Sequence, residues 1–508
     1  MGRAFCAPPL LCPMPVRVRY APSPTGSPHV GNLRTAIYNW LLVRKLGGQF
    51  IARLEDTDRT PGRYMPEGIW DIEESLRYLG TIPDEWWVSG GTSGPYIQSE
   101  RLPLYKEYAD RLVSSGHAYR CYCSRERLEA MRQEQQSKGI PTGYDRCCRT
   151  DVGREEMRIK RLSELGHEPP FVIRLAMPLE GQTVVHDLVK GDIVYDNRTQ
   201  DDQVLLKTDG FPTYFLACAV DDHLMGVTHV IRGDDWLSSA AKFVAVINAF
   251  GWDPPALVHP PLILGPDRKK LSKRHGSTQF TEFVDQGYLP EALLNFLVLL
   301  GWSAGDENRE LFTLPELIER FSLEGISEHP AIFDYDKLKW MNGMYIRQSP
   351  PGRIVGLCIQ QLQKYKLIGD PPSESELDLA RKLIPLEIER MKVLSEIVPM
   401  AEPFFTELKF PDGYEEKAVA KWLTVEYIKP LLQREIEIFS GLSVWDPSTL
   451  EDSVRSLADE MELKFAGVIH PTRVAVTGRT VGPGLFDAIW ALGRETTLQR
   501  LNSVLEAL

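Results

Sequence analysis

Arg19–Asn32 reads RYAPSPTGSPHVGN, which places three prolines, two glycines, three Ser/Thr hydroxyls and one histidine between two apolar runs. The run before it, VRVRY (Val16–Tyr20), alternates with period two, which predicts a strand with Val16 and Val18 on one face. The run after it, NLRTAIYNWLLVRKL (Asn32–Leu46), carries apolar residues at helical spacing, and Gly47–Gly48 closes it. QFIARLEDTD (Gln49–Asp58) then predicts a second strand ending in carboxylates. Strand, loop, helix and strand in this order make a parallel, right-handed unit. Ligands of such sheets bind beyond the carboxyl ends of the strands, where the Ala21–Gly31 loop and the acidic Glu55–Asp58 end both lie. A stiff Pro/Gly backbone suits close approach to a phosphate-bearing ligand, with the positive end of the next helix aimed at it. His29 at the helix entrance can donate to phosphate oxygens, and Gly31 leaves room for a flat base. The loop is neither G-x-x-x-x-G-K nor G-x-G-x-x-G.

Further along, GGTSGP (Gly90–Pro95) marks a break, and LPLYKEYADRLVSSG (Leu102–Gly116) predicts an amphipathic helix. Basic helical sequence follows to about Leu165, then strand-like FVIRLAM (Phe171–Met177) and DIVYDN (Asp192–Asn197), a change of texture that reads as an insertion. TYFLACAV (Thr213–Val220) and THVIRGDDW (Thr228–Trp236) have the character of buried strands that resume the first fold. GPDRKKLSKRHG (Gly265–Gly276) sets five Lys/Arg against one acid on a flexible loop. Phosphoryl or nucleotidyl transfer needs such a second cationic element. From about Thr313 onward the sequence is helical.

The 508 residues are 43% hydrophobic and 25% charged, the composition of a soluble chain of several domains. No apolar run reaches the roughly 18 residues of a membrane span, and the short Phe296–Leu300 run reads as core. Residues 1–14 are expected to be a disordered lead-in without an address signal, with Met14 an alternative start to Met1, so the cytoplasm is the expected compartment. Eight cysteines, two pairs of them closely spaced, fit a reducing compartment. A net charge of −12 opposes nonspecific polyanion binding, but Arg120–Arg161 holds eleven Lys/Arg against seven Asp/Glu, a local basic patch.

PHVGN and KLSKR match the HIGH and KMSKS motifs of class I aminoacyl-tRNA synthetases. With APSPTGSPHVGN, RLEDTD, LLKTDGFPTYFLACAVDDHLMGVTHVIRGDDW, FDYDKLKWMNGMYI and VAVTGRTVGPGLF, the chain resembles bacterial-type glutamyl-tRNA synthetase from about Val16 to its end. Five such segments in the right order are specific where each alone is weak. The resemblance implies an α/β, Rossmann-like class I catalytic domain with an inserted acceptor-binding α+β domain, then stem-contact and all-α anticodon-binding domains. The expected boundaries are 15–104 and 212–264 for the catalytic halves, 105–211 for the insertion, 265–346 for the stem-contact domain with its KLSKR loop, and 347–508 for two anticodon-binding subdomains.

The same resemblance implies the reaction: L-glutamate attacks the α-phosphorus of ATP, and tRNA(Glu) then takes the glutamyl group from the adenylate. Mg²⁺ is expected on the phosphates, and tRNA is usually required before glutamate is activated. It assigns His29, Lys270 and Lys273 to catalysis and His29, Gly31, Asn32, Lys270, Ser272 and Lys273 to ATP. Lys273 is the stronger candidate for the phosphates. Arg19, Ala21, Ser23, Glu55, Tyr214 and Arg232 are assigned to glutamate, whose two carboxylates suit arginine forks and whose ammonium suits Glu55. Where the family often has Asn this chain has Cys218, a poor hydrogen-bond partner. Arg390, in ERMKVL, aligns loosely with an arginine that reads the third anticodon base. Cys121, Cys123 and Cys148 fit the zinc spacing C-x-C-x24-C-x-H, but the last place is Thr150. Three thiolates leave a structural site incomplete unless Cys147 or Asp151 substitutes, and the competing reading is a relic knuckle held by packing.

A monomer is expected. The alternatives are an enzyme that also charges tRNA(Gln), one that modifies an anticodon nucleoside, a glutaminyl enzyme, and a non-catalytic paralogue. The helical sequence after Arg347 opposes the second and third, and the retained His29, Lys270 and Lys273 oppose the fourth.

Overall fold

The computed structural model describes residues 15–305 and 309–508. The expected lead-in and the choice between Met1 and Met14 lie outside them. The strands are β1 (Arg17–Tyr20), β2 (Gln49–Ala52), β3 (Ala118–Cys121), β4 (Val172–Leu175), β5 (Gln182–Asp187), β6 (Gly191–Asp196), β7 (Val204–Leu206), β8 (His229–Ile231), β9 (Ala256–Val258), β10 (Ile263–Leu264) and β11 (Ala331–Ile332). The chain divides into two compact units: residues through Glu282 with Leu293–Asp334, and Phe283–Ala292 with Tyr335–Leu508.

The first unit is built on a six-stranded sheet in the order β2-β1-β8-β9-β5-β6. β1 pairs in parallel with β2 (Arg17 opposite Gln49) and with β8, and the parallel run continues through β9 to β5. Helix Val30–Leu46 supplies the crossover between β1 and β2; its Val30, Leu33, Ile37 and Leu41 are fully buried. Gly47 ends it in the left-handed region (φ +71°), and a Cβ on Gly48 would lie 2.1 Å from the Val16 carbonyl oxygen. The second strand is shorter than its sequence suggested: it stops at Ala52, and Arg53–Asp58 turns across the sheet end.

The segment expected as one inserted domain is divided. β3, β4 and β7 form a separate antiparallel sheet, but the β5–β6 hairpin extends the main sheet, β5 pairing in parallel with β9. β5 is amphipathic, with Thr183, Val185 and Asp187 buried in alternation, which allows it to cover the edge of β9. A second correction concerns Thr213–Val220. Tyr214–Leu224 is a helix, buried continuously from Leu216 to Asp222. A short all-apolar run has no polar face from which to read its period, so a buried helix and a buried strand look alike in sequence.

The second unit is helical throughout its described residues from Tyr335 onward. Its core joins Ile354, Leu383, Ile397, Leu431, Val474, Ile489 and Leu501 from seven different helices.

Candidate active site

β1 and β8 are the neighbours at which the strand order reverses, and the Pro-rich loop that follows β1 and Arg232 that follows β8 come directly after their carboxyl ends. Glu55 donates its backbone N–H to the Pro22 carbonyl (2.8 Å), which fastens the acidic turn to the Pro-rich loop. Val30 and Phe280 bond to Thr278 and Pro28 (3.0 and 2.9 Å), so the segment after the lysine loop lies alongside the start of the helix.

His29 caps that helix. Its Nδ1 accepts from the Gly31 N–H (3.1 Å), so the neutral ring carries its proton on Nε2. Burial, and then the charge of Lys270, hold His29 below the usual imidazole range. That coupling places Lys270 and His29 in one electrostatic field, although 240 residues separate them in sequence. Lys270 also pairs with Asp235 (3.2 Å), just beyond β8. Ser272 and His275 form a capping box around the short Lys273–His275 turn, which settles the loop, and Lys273 has no ion pair among the described residues. A Cβ on Gly265 would meet the His275 ring at 2.8 Å, so a side chain there would displace the loop. Asn32 is exposed and donates its backbone N–H to the His29 carbonyl (2.8 Å).

The expected glutamate-binding groups meet in a buried cluster that includes several residues not assigned from sequence. Asp222 accepts from Arg19 Nε (3.3 Å) and Arg53 Nη1 (2.8 Å), and Arg53 Nη2 reaches Glu55 (3.1 Å). Asp221 accepts from Arg101 (2.7 Å), Tyr105 (2.8 Å) and Gln98 (3.0 Å). Burial works to raise the Asp222 carboxyl, and Arg19 and Arg53 reverse this, leaving it below the ordinary range. Glu55 stays raised by burial despite Arg53 and Arg19. Cys218 stands where Asn was expected, its sulfur 3.7 Å from Arg19 and 3.5 Å from Arg53, with its thiol pushed up to about 12 by burial and Asp222. A neutral thiol there adds little to the grip of either arginine.

Arg232 is held by a chain of three groups. Its Nη1 donates to Tyr214 Oη (2.7 Å), and its Nε–H donates to His259 Nε2 (3.0 Å). His259 must then carry its proton on Nδ1, which donates to Asp187 (2.6 Å). Asp187 and His259 are both fully buried at the side chain. Arg232 Nη2 is buried with no hydrogen-bond partner among the described residues, a donor available to a carboxylate. Tyr214 stacks on Trp236 (4.2 Å). Ala21 and Ser23 lie on the same loop, with no side-chain hydrogen bond to the cluster among the described residues.

Cys121, Cys123 and Cys148 converge with their sulfurs within 4.8 Å of one another. Thr150 does not join them: its hydroxyl caps helix Asp151–Leu165 by accepting from Gly153. Asp151 is exposed and paired with Arg154 (2.8 Å). The nearest further donors are Cys147, 3.3 Å from Cys123 and 3.8 Å from Cys148, and the Tyr144 hydroxyl, 3.2 Å from Cys121. Sulfur spacings of this size suit a tetrahedral ion with soft ligands. Arg390 lies in the other unit, at the end of helix Glu374–Glu387, paired with Glu387 (2.5 Å).

Of the residues missed from sequence, Arg53 stood inside the RLEDTD motif and Asp221 and Asp222 inside the quoted stretch AVDDHL, but His259 and Asp187 carried no local signal. Taken as a helix, TYFLACAVDDH would have put Cys218 and Asp222 one turn apart on one face.

The model for tRNA synthetases class I (E and Q), catalytic domain, matches residues 15–340, and that for an anticodon binding domain matches 357–505. The glutamate–tRNA ligase of Dehalococcoides mccartyi is 46% identical over 486 residues, covering 96% of this chain and 97% of the relative. That of Moorella thermoacetica is 43% identical over 487 residues, with 96% and 97% covered. The crystal structure of a glutamate tRNA ligase from Elizabethkingia meningosepticum, in complex with its amino acid, superposes with a TM-score of 0.85 at 34% identity, covering 97% of this chain and all of the other. At these identities and coverages this chain belongs to the glutamate–tRNA ligase family of class I synthetases.

Proposed function

We propose that the chain joins L-glutamate to tRNA(Glu) in two steps, with ATP as the activating substrate. The α-carboxylate of glutamate attacks the α-phosphorus of ATP, a P–O bond forms, and the bond to pyrophosphate breaks. The terminal adenosine hydroxyl of the tRNA then attacks the carbonyl of the adenylate, and AMP leaves. No protein nucleophile takes part. The chain lowers the barrier by holding the reactants in line and by aiming donors at developing charge.

His29 Nε2–H and Lys270 are the phosphate donors from the two converging segments, and Lys273 closes onto the leaving pyrophosphate. Gly31, Asn32 and Ser272 offer backbone and small polar groups around the nucleotide. Arg19 and Arg232 take the side-chain carboxylate of glutamate, Tyr214 fixes Arg232, Glu55 takes the ammonium, and Ala21 and Ser23 line the pocket. Mg²⁺, when bound, neutralises triphosphate charge. The thiols are the one cluster of three or more metal-type ligands found among the described residues, so Mg²⁺ would be held mainly by the nucleotide's own oxygens. Zn²⁺ would be held by Cys121, Cys123 and Cys148, completed by Tyr144 or Cys147 in place of Thr150, and would brace the β3–β4–β7 region. Elemental analysis of purified protein should find about one zinc per chain, and none in a Cys148→Ser variant.

The β3–β4–β7 region with its basic helices would receive the acceptor end of the tRNA, residues 265–346 would contact the stem, and the helices after 347 would read the anticodon. No described helix is long and apolar enough to cross a membrane; we assign the chain to the cytoplasm as a monomer. The hydrogen bonds of Val30 with Thr278 and of Phe280 with Pro28, which bring the chain just after the lysine loop alongside the His29 helix, are the observation that carries the reading. Lys273→Ala should lower tRNA-dependent ATP–pyrophosphate exchange about 10²- to 10³-fold while tRNA affinity is retained. Exchange at the wild-type rate removes the loop from the chemistry.

A further inference from the structure

β8, β9 and β5 lie side by side in the sheet, and each delivers one residue to a single line across their carboxyl ends. Arg232 follows β8, His259 follows β9, and Asp187 is the last residue of β5. The Arg232 N–H donates to the Val258 carbonyl (3.1 Å) and the Leu188 N–H to the Leu257 carbonyl (2.9 Å), which laces the strand ends together at this level. The side chains continue the line, Arg232 Nε–H to His259 Nε2 (3.0 Å) and His259 Nδ1–H to Asp187 Oδ2 (2.6 Å). The other Asp187 oxygen accepts from the backbone N–H groups of Val189 (2.9 Å) and Lys190 (2.8 Å). These donors hold the Asp187 carboxyl below the ordinary range although burial works to raise it. The same hairpin makes a second tie. Tyr195 on β6 donates to the Leu237 carbonyl (2.7 Å), next to Trp236, whose ring stacks on Tyr214. Arg232 is thus held by two neutral groups, the Tyr214 hydroxyl and the His259 imidazole, and makes no ion pair among the described residues. Arg53, by contrast, pairs directly with three carboxylates. The Arg232 Nη2 group remains buried and without a partner among the described residues.

We propose that His259 is a positioning residue for glutamate binding, and that with Asp187 it makes the β5–β6 hairpin part of the amino-acid site. The inference rests on the proposed reading of Arg232 as a partner of the glutamate side-chain carboxylate, and it adds what aims that arginine. Three demands meet at His259. It has to accept at Nε2, so its proton must sit on Nδ1, and Asp187 fixes that tautomer. It has to be uncharged, because an imidazolium would turn an N–H toward the Arg232 Nε–H. It also has to act as a spacer. A carboxylate in direct contact takes two parallel donors of a guanidinium fork and competes with a ligand for them. With the ring between them, the Asp187 charge offsets part of the cost of burying the Arg232 cation, and Nη2 stays open. A guanidinium presents donors only, so a carboxylate satisfies it, and the amide of glutamine, which carries donors of its own, does so less well. Loosening Arg232 therefore costs glutamate more than it costs glutamine.

The test measures KM for L-glutamate, KM for ATP and kcat in tRNA-dependent ATP–pyrophosphate exchange, and the inhibition constant of L-glutamine, for the full chain and its His259→Met and His259→Gln variants. His259→Met removes the acceptor and keeps a side chain of similar bulk. It should raise KM for glutamate about 10- to 100-fold, with KM for ATP and kcat nearly unchanged. The inhibition constant of glutamine should rise less, so that the preference for glutamate narrows. His259→Gln, whose amide oxygen can accept from Arg232 Nε, should recover most of the loss. An unchanged KM for glutamate in His259→Met overturns the proposal. An equal rise in both KM values, or a Gln variant no better than Met, also overturns it, because each marks a histidine that only fills space. If His259→Met fails to fold, Asp187→Asn, which leaves the ring in place, decides by the same split between the two KM values. Wild-type protein with no glutamate-dependent exchange overturns the ligase reading and this proposal with it, an outcome distinct from normal exchange that His259 does not affect.

Discussion

Two regions of the molecule bury carboxylates, and they treat them differently. Beyond the sheet, Glu55, Asp221 and Asp222 are matched by Arg19, Arg53 and Arg101 in one connected set. In the helical unit, Glu387 and Glu435 are equally buried, yet each leaves one oxygen without a partner among the described residues. Glu435 has no ion pair among the described residues; it receives the Thr472 hydroxyl, and burial pushes it up to about 8. A carboxylate removed from water stays ionised only where donors replace its hydration. The sheet-end acids are therefore framework that shapes a charged pocket. Glu435 resolves the same problem by holding its proton, and burial raises Glu387 as well, with Arg390 working against the rise.

The sharpest way to break this contrast is Arg53→Met. It removes the cation shared by Asp221, Asp222 and Glu55 and should cost about 3–5 kcal/mol, measured as a lower denaturation midpoint of the first unit. A loss below about 1 kcal/mol would mean the network is no more than a surface-like set of pairs.

A smaller effect is expected at Glu435. Its folded-state pKa is raised, so between the unfolded value and about 8 the folded chain holds a proton that the unfolded chain has released. Stability should fall as pH rises through that window, by about 2–4 kcal/mol from pH 5 to 8. Glu435→Gln should flatten the curve, matching wild type at the acid end and exceeding it at the alkaline end. Parallel melting profiles for the two proteins would show that Glu435 is ionised.

The smallest is Asp187→Asn, which leaves the packing but weakens the hold on His259 and so on Arg232. KM for glutamate should rise about tenfold, the equivalent of roughly 1.4 kcal/mol, with kcat nearly unchanged. A fall in kcat alone would place Arg232 in the chemistry instead of in binding.

Much of the site was legible because its elements are local. β1, the Pro-rich loop and the following helix announce themselves through a change of period, and His29 and Lys270 stand in the two segments the sequence singled out. Tyr214–Leu224 was misread because its apolar run is buried on all sides. The β5–β6 hairpin was grouped with the insertion because nothing in Gln182–Asp196 shows which sheet edge it will cover. The thiol cluster was seen, but Tyr144 was not, since a tyrosine hydroxyl becomes a candidate ligand only by position.

By itself the sequence determined the family, the parallel strand–loop–helix start and the helical character of the second half. Only the tertiary structure decided which charges answer which: Arg53 with Asp222, Arg232 with His259 and Asp187, and Glu387 with Arg390 and one oxygen to spare. The reason is physical. Periodicity is set by bonds between near neighbours in the chain. The pairing of buried charges is set by which groups lose their water together, and that depends on elements that can be 200 residues apart in sequence.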